Sequence, residues 1–147
     1  MSANHAKQRR GEYGHAVIEV SFLAPWIFFL FVGALDFGFY AYGVICTENA
    51  ARVAAMQTAQ DSNSQANSAL ACQYALPSLK SLPNTRSLAT CAALPVIVSA
   101  TAVVDADGDQ ASQVAVTYQS LAMIPIPGLT GTLTLTRTAQ MKLRQQP

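Results

Sequence analysis

The chain has 147 residues and a mass of 15.6 kDa, room for one modest domain rather than two. It is 51% apolar and only 12% charged, about half the charged share of an ordinary soluble domain. Nine Lys and Arg against eight Asp and Glu leave a formal net charge of +1, so no general attraction to nucleic acid is built in and nucleic acid is not an expected partner.

The averages conceal an uneven distribution. Across positions 20–46 the only charged residue is Asp36, whereas the later part is polar and rich in Ala, Ser and Thr. A hydrocarbon core about 30 Å thick is crossed by about 20 apolar residues in a helix. Positions 15–46 are therefore expected to form a transmembrane helix after a basic leader, 1–14. Lys7, Arg9 and Arg10 precede the apolar run, and the first positive charge after it is Arg52. The positive-inside rule then puts the N-terminus in the cytoplasm and residues 47–147 outside. Phe37, Phe39, Tyr40 and Tyr42 stand near the outer interface, where aromatic rings are favoured.

Three export signals compete with a retained anchor. A secretory signal has an apolar core of about 7–15 residues ending at small residues; this run is longer, and Val53-Ala54-Ala55 is a weak match for the cut that would release a soluble domain. Arg9-Arg10 lacks the apolar continuation of a twin-arginine signal. Ile45 is too bulky for the position before a lipidated Cys46, which reads instead as a helix-end thiol.

Glu19 opens the apolar run, where a carboxylate is costly; ionisable residues in a membrane segment are functional candidates by default. A plain interfacial Glu that reaches water is the competing reading. Pro25 lacks an N–H and is expected to kink the helix. Asp36 lies about 25 Å further along the axis than Glu19 at 1.5 Å per residue, which makes it an acid of the outer interface. Gly33, Gly38 and Gly43 are small positions at which another helix can come close, although their spacing is not the Gly-x-x-x-Gly stripe.

Beyond the membrane a helix over 47–60 is expected to continue the span, Ala-rich and with Glu48 and Arg52 at i,i+4. Ser62 or Ser64 can cap a second helix over 63–76, and Pro77, Pro83 and Pro95 then punctuate a loop region. Cys72 and Cys91 are 19 positions apart, a separation that suits a disulfide in an oxidising compartment, with two buried free thiols as the alternative.

The last third reads as three antiparallel strands, about 95–104, 112–119 and 130–143. Val98, Ala100, Ala102 and Val104 share one face, as do Val114, Val116 and Tyr118, and Leu133, Leu135, Ala139, Met141 and Leu143 share another stripe that Arg137 interrupts. Placing the first two stripes on one side pairs Val98 with Tyr118 and Val104 with Ser112, across an Asp107-Gly108-Asp109 turn. The fold class expected is α+β: a long helix, a short helix and a sheet packed on them.

Catalysis lacks parts. The only His residues are His5 and His15, and no nucleophile elbow, phosphate loop, Cys-x-x-Cys pair or metal cluster occurs, so neither an enzyme nor a cofactor is expected. Asp105, Asp107 and Asp109 alternate like the start of a calcium loop, but Gln110 and Val116 stand where Gly and the bidentate Glu belong.

Gly14-His15-Ala16-Val17-Ile18-Glu19 has the spacing of type IV pilin-like precursors, cut after Gly so that Glu becomes the fifth residue. The sequence also resembles the TadE-like minor pilins, or pseudopilins, of the tight-adherence (Flp-type) pilus. Gly14, Glu19 and Pro25 match that family's opening pattern, Asp36-Phe37-Gly38 its Asp-x-Gly, and Asn49-Ala50-Ala51-Arg52 its helix. Val114-Ala115-Val116-Thr117-Tyr118, Ile124-Pro125 and positions 133–141 look like its closing strands and loop. Val20 departs from it, since an aromatic residue is common there. The resemblance implies cleavage by prepilin peptidase between Gly14 and His15 and pairing of Glu19 with the new N-terminus of a neighbouring subunit. It also implies residence in the bacterial inner membrane with a periplasmic domain, in contact with lipid, other pilins and the pilus assembly platform. An uncleaved single-pass anchor presenting a periplasmic binding domain is the alternative.

Overall fold

Between positions 4 and 58 Pro25 is the one proline, and a single helix, α1, runs over Asn4–Thr58 with Pro25 inside it. This computed structural model describes residues 4–121 and 132–144, with side chains from Val17 onward. It divides into two compact units, Met1–Gly38 and Phe39–Pro147, the described residues of the first all belonging to α1.

In the first unit every described side chain is exposed except half-buried Val32. Trp26 is 72% exposed, Phe22 75% and Leu30 73%. The helix is long and apolar enough to cross a membrane.

The second unit is α+β. It holds the remainder of α1, then α2 (Ser68–Leu79) and four strands, β1 (Ala92–Ala93), β2 (Val96–Val104), β3 (Gln110–Gln119) and β4 (Thr134–Lys142). The strands form one antiparallel sheet in the order β1-β2-β3-β4. The sequence pattern predicts three strands; β1 is the addition, two residues pairing with Val96 and Ile97, too short for an alternating pattern to announce. The start of the third expected strand, 130–131, and the Ile124-Pro125 loop lie outside the described residues.

α1 ends two residues before the expected position 60. Ser64 Oγ donates to Thr58 O at 2.9 Å and to Asp61 O at 3.0 Å, while Asp61 Oδ1 accepts from the N–H groups of Asn63 and Ser64, both at 2.9 Å. Those bonds make 61–64 a turn and commit Ser64 to closing α1 rather than opening α2. The second helix accordingly starts at Ser68 instead of 63. Its N-cap is Asn67, whose Oδ1 accepts from Leu70 N at 3.0 Å. It also passes the expected stop before Pro77. Gln73, whose carbonyl loses its helical donor to that proline, is exposed, so water can take the place of the missing N–H.

The β2–β3 register is displaced by two from expectation, with Val98 opposite Val116 and Val104 opposite Gln110. Asp105 N bonds Asp109 O at 2.8 Å and Gly108 N bonds Asp105 O at 2.9 Å, so the loop is Ala106-Asp107-Gly108. Gly108 has φ +86°: a three-residue hairpin places its left-handed residue third, not at the centre. A two-residue shift keeps every side chain on its expected face.

The core of this unit sits between the helices and one face of the sheet. α1 contributes a buried stripe of small residues, Gly43, Cys46, Thr47, Ala50, Ala51, Ala54, Ala55 and Thr58, spaced by one helical turn. Opposite stand Val96, Val98, Ala100, Val114, Val116, Tyr118 and Leu135, and α2 adds Ala71, Ala75, Leu76 and Leu79. Cys46 is thus a core residue well inside α1 rather than at a helix end.

Candidate functional site

Two regions carry the residues singled out by sequence. The first is the apolar part of α1. Gly14 and His15 lie in its backbone, with their side chains outside the described residues. Glu19 is exposed on the same helix and has no ion pair among the described residues. Pro25 follows six residues later, also exposed, and Asp36 is exposed two residues before the unit boundary. A methyl added at Gly33 or Gly38 would meet nothing within 4 Å. Chemically this is an unpartnered apolar surface with one acid toward each end. In hydrocarbon each carboxylate needs a partner, water or a proton, and this helix supplies no cation between positions 17 and 51.

The second region is the folded unit. Cys72 on α2 is joined to Cys91, the residue before β1, with Sγ–Sγ 1.99 Å and Cα–Cα 5.7 Å. The bond ties α2 to the edge of the sheet, where Ser68 Oγ also accepts from Ala100 N at 3.0 Å. Thr58 Oγ1 lies 2.7 Å from Ser112 Oγ, and Ser112 Oγ donates to Gln65 O at 2.8 Å. These buried hydroxyls link the end of α1, the 61–67 turn and β3. Tyr118 OH donates to Asn84 Oδ1 at 2.8 Å, and Asn84 Nδ2 donates to Gln119 O at 2.8 Å. Burial pushes the Tyr118 phenol up from its ordinary value, with a smaller push from Cys46.

At the hairpin tip the three alternating acids surround a lysine, which inspection of the loop alone does not reveal. Lys142 Nζ is 2.6 Å from Asp107 Oδ2 and 3.4 Å from both Asp105 Oδ2 and Asp109 Oδ2. The signal was positional: Lys142 stands opposite Ala111 on β4, beside the base of the hairpin. The Ala106 N–H, at 2.9 Å, holds the Asp105 carboxyl below its ordinary value, and Lys142 adds to this. Asp107 foremost raises the Lys142 ammonium. Among the described residues no group of three or more His, Cys, Asp and Glu is placed to hold a metal ion.

No protein-family model matches the sequence, no curated protein is significantly similar to it, and no solved structure matches its fold.

Proposed function

We propose that this chain is a TadE-like minor pilin or pseudopilin: an inner-membrane anchor with its small domain in the periplasm, acting in assembly or initiation of a Flp-type pilus for surface attachment. The observation that best supports the reading is the double use of α1. One helix contains the Gly14…Glu19 spacing, presents a bare apolar surface, and later contributes the face on which the sheet of a disulfide-tied domain packs.

In this reading prepilin peptidase cuts between Gly14 and His15, and Glu19 neutralises the resulting ammonium of a neighbouring pilin. A carboxylate and an ammonium buried apart would each cost several kcal/mol, and pairing offsets that cost. The partners are that peptidase, other pilins or pseudopilins, the assembly platform and membrane lipid; neither catalysis nor a cofactor enters.

The test is genetic and visual. Deleting the chain from its own organism is expected to abolish or sharply reduce surface pili, with wild type restoring them and Gly14→Ala and Glu19→Ala failing to do so. Unchanged piliation in the deletion strain contradicts the proposal and favours an anchored binding module.

A further inference from the structure

The two edges of the sheet are finished differently. On the β2 side the first part of the outer edge is covered: Val98 N bonds Cys91 O at 3.0 Å and Ala100 N bonds Ser68 Oγ at 3.0 Å. On the β4 side nothing among the described residues pairs with the strand. Ser120 N bonds Leu133 O and Leu143 N bonds Gln110 O, both at the ends of the β3–β4 ladder. By the alternation of an antiparallel ladder the odd-numbered β4 residues therefore bond to β3. The N–H and C=O groups of Thr134, Thr136, Thr138, Gln140 and Lys142 point away from the sheet. This edge is nine residues long and contains no proline, so it has the form of a template for another strand.

Its charges select the occupant. β4 carries Arg137 and Lys142 and no acid. Lys142 is engaged by the three Asp carboxylates of the hairpin. Arg137 is different. It stands in the helix-facing row with Leu135, Ala139 and Met141, half-buried, and has no carboxylate within ion-pair distance among the described residues. Its Nη1 donates at 3.2 Å to Thr136 O, one of the outward carbonyls, which places the guanidinium at the open edge itself. Four of its N–H donors remain for a planar acceptor, the geometry in which a carboxylate is held by two bonds. A second copy's β4 is a poor match, because antiparallel pairing of two such strands would gather four cations and no acid, and like charges on neighbouring strands repel.

We propose that the open edge of β4 receives an extended segment of a different protein as a fifth strand, and that Arg137 selects a segment carrying an acidic residue on its helix-facing side. Main-chain bonds to Thr134, Thr136, Thr138 and Gln140 supply binding, and the guanidinium supplies the choice. The inference does not depend on cleavage at Gly14 or on pilus formation.

The probe is a pair of acetylated nine-residue peptides of alternating Thr and Val, with Glu or Gln at the centre, titrated by fluorescence anisotropy against the full chain in lipid nanodiscs. The Glu peptide is expected to bind about tenfold more tightly than the Gln peptide, the scale of one charge-assisted hydrogen-bond pair. Arg137→Gln is expected to remove that difference. Thr138→Pro should abolish binding of both peptides while leaving β3 amide protection intact, because the Thr138 N–H faces outward and belongs to no ladder bond. Three results overturn the proposal: no saturable binding by about 1 mM peptide, equal binding of the two peptides to wild type, or self-association and stronger peptide binding in Arg137→Gln. The last would mean that Arg137 guards the edge against pairing.

Discussion

An alanine methyl at Gly43 would stand 3.5 Å from Tyr118 Cε1, 3.6 Å from Leu135 Cδ1 and 3.8 Å from Tyr118 Cδ1, ordinary van der Waals separations. The space beside α1 at this position is therefore large enough for one carbon and closed to more. Gly43→Ala removes the helix penalty of glycine, about 1 kcal/mol, and buries a methyl worth up to about 0.8 kcal/mol. Together they are expected to stabilise the folded unit by about 1–2 kcal/mol. Gly43→Leu has the opposite sign, since its outer carbons must displace Tyr118 and Leu135, an overpacking cost of about 1–3 kcal/mol. Hydrogen exchange of the Val114 and Val116 amides, in the full chain in micelles, reads both effects. Alanine should slow exchange by about 5- to 30-fold and leucine should accelerate it. Faster exchange in Gly43→Ala would refute the reasoning, because it would mean that the helix and sheet meet too closely for any side chain.

Three further substitutions or conditions test the rest of the folded unit. Asn67→Ala removes the acceptor for Leu70 N and is expected to cost about 1 kcal/mol, seen as faster exchange in the first turn of α2, while Asn67→Ser retains most of the stability. Replacing Cys72 and Cys91 together by Ser releases α2 from the β1 edge and should lower stability by about 3 kcal/mol through the entropy of the opened loop, measured by denaturant titration of both forms in the same micelles. The hairpin tip responds to acid: Asp105 has a folded value below its ordinary 3.8, so its contribution is present above the unfolded value and disappears as pH falls through the folded one. Carboxyl NMR should find Asp105 titrating below 3.8; titration above it would contradict the Ala106 and Lys142 contacts.

Periodicity made the sheet legible, and local side-chain competition hid its details. The alternation on β2 and β3 placed Val98, Ala100, Val114, Val116 and Tyr118 on the core face even though the pairing was displaced by two, because parity survives that shift; Ala102 and Val104, in the same row, lie beyond the core and are exposed. The displacement came from reading Gly108 as the middle of the turn, whereas its φ of +86° belongs at the last loop position. The start of α2 was obscured because Ser64, a good cap in isolation, is used by Thr58 and Asp61. The packing face of α1 was visible only as an Ala-rich stretch. Which alanines are buried depends on the sheet opposite, as do the position of Cys46 in the core and the seat of Lys142 among three acids. In the first unit the apolar run, Glu19 and Asp36 are as plain in the sequence as in the structure, since among the described residues nothing packs on them.

The most direct test of the account is the N-terminus of the membrane-bound protein, read by intact mass and terminal sequencing from cells with and without the prepilin peptidase of its own system. The account requires a chain beginning at His15 when the peptidase is present, and one beginning upstream of Gly14 when it is absent or when Gly14 is replaced by Ala. A leader retained in every case would contradict pilin-type processing and leave Glu19 without its partner. A chain beginning near Met56 would contradict the anchor itself, because the apolar part of α1 would then be a discarded signal.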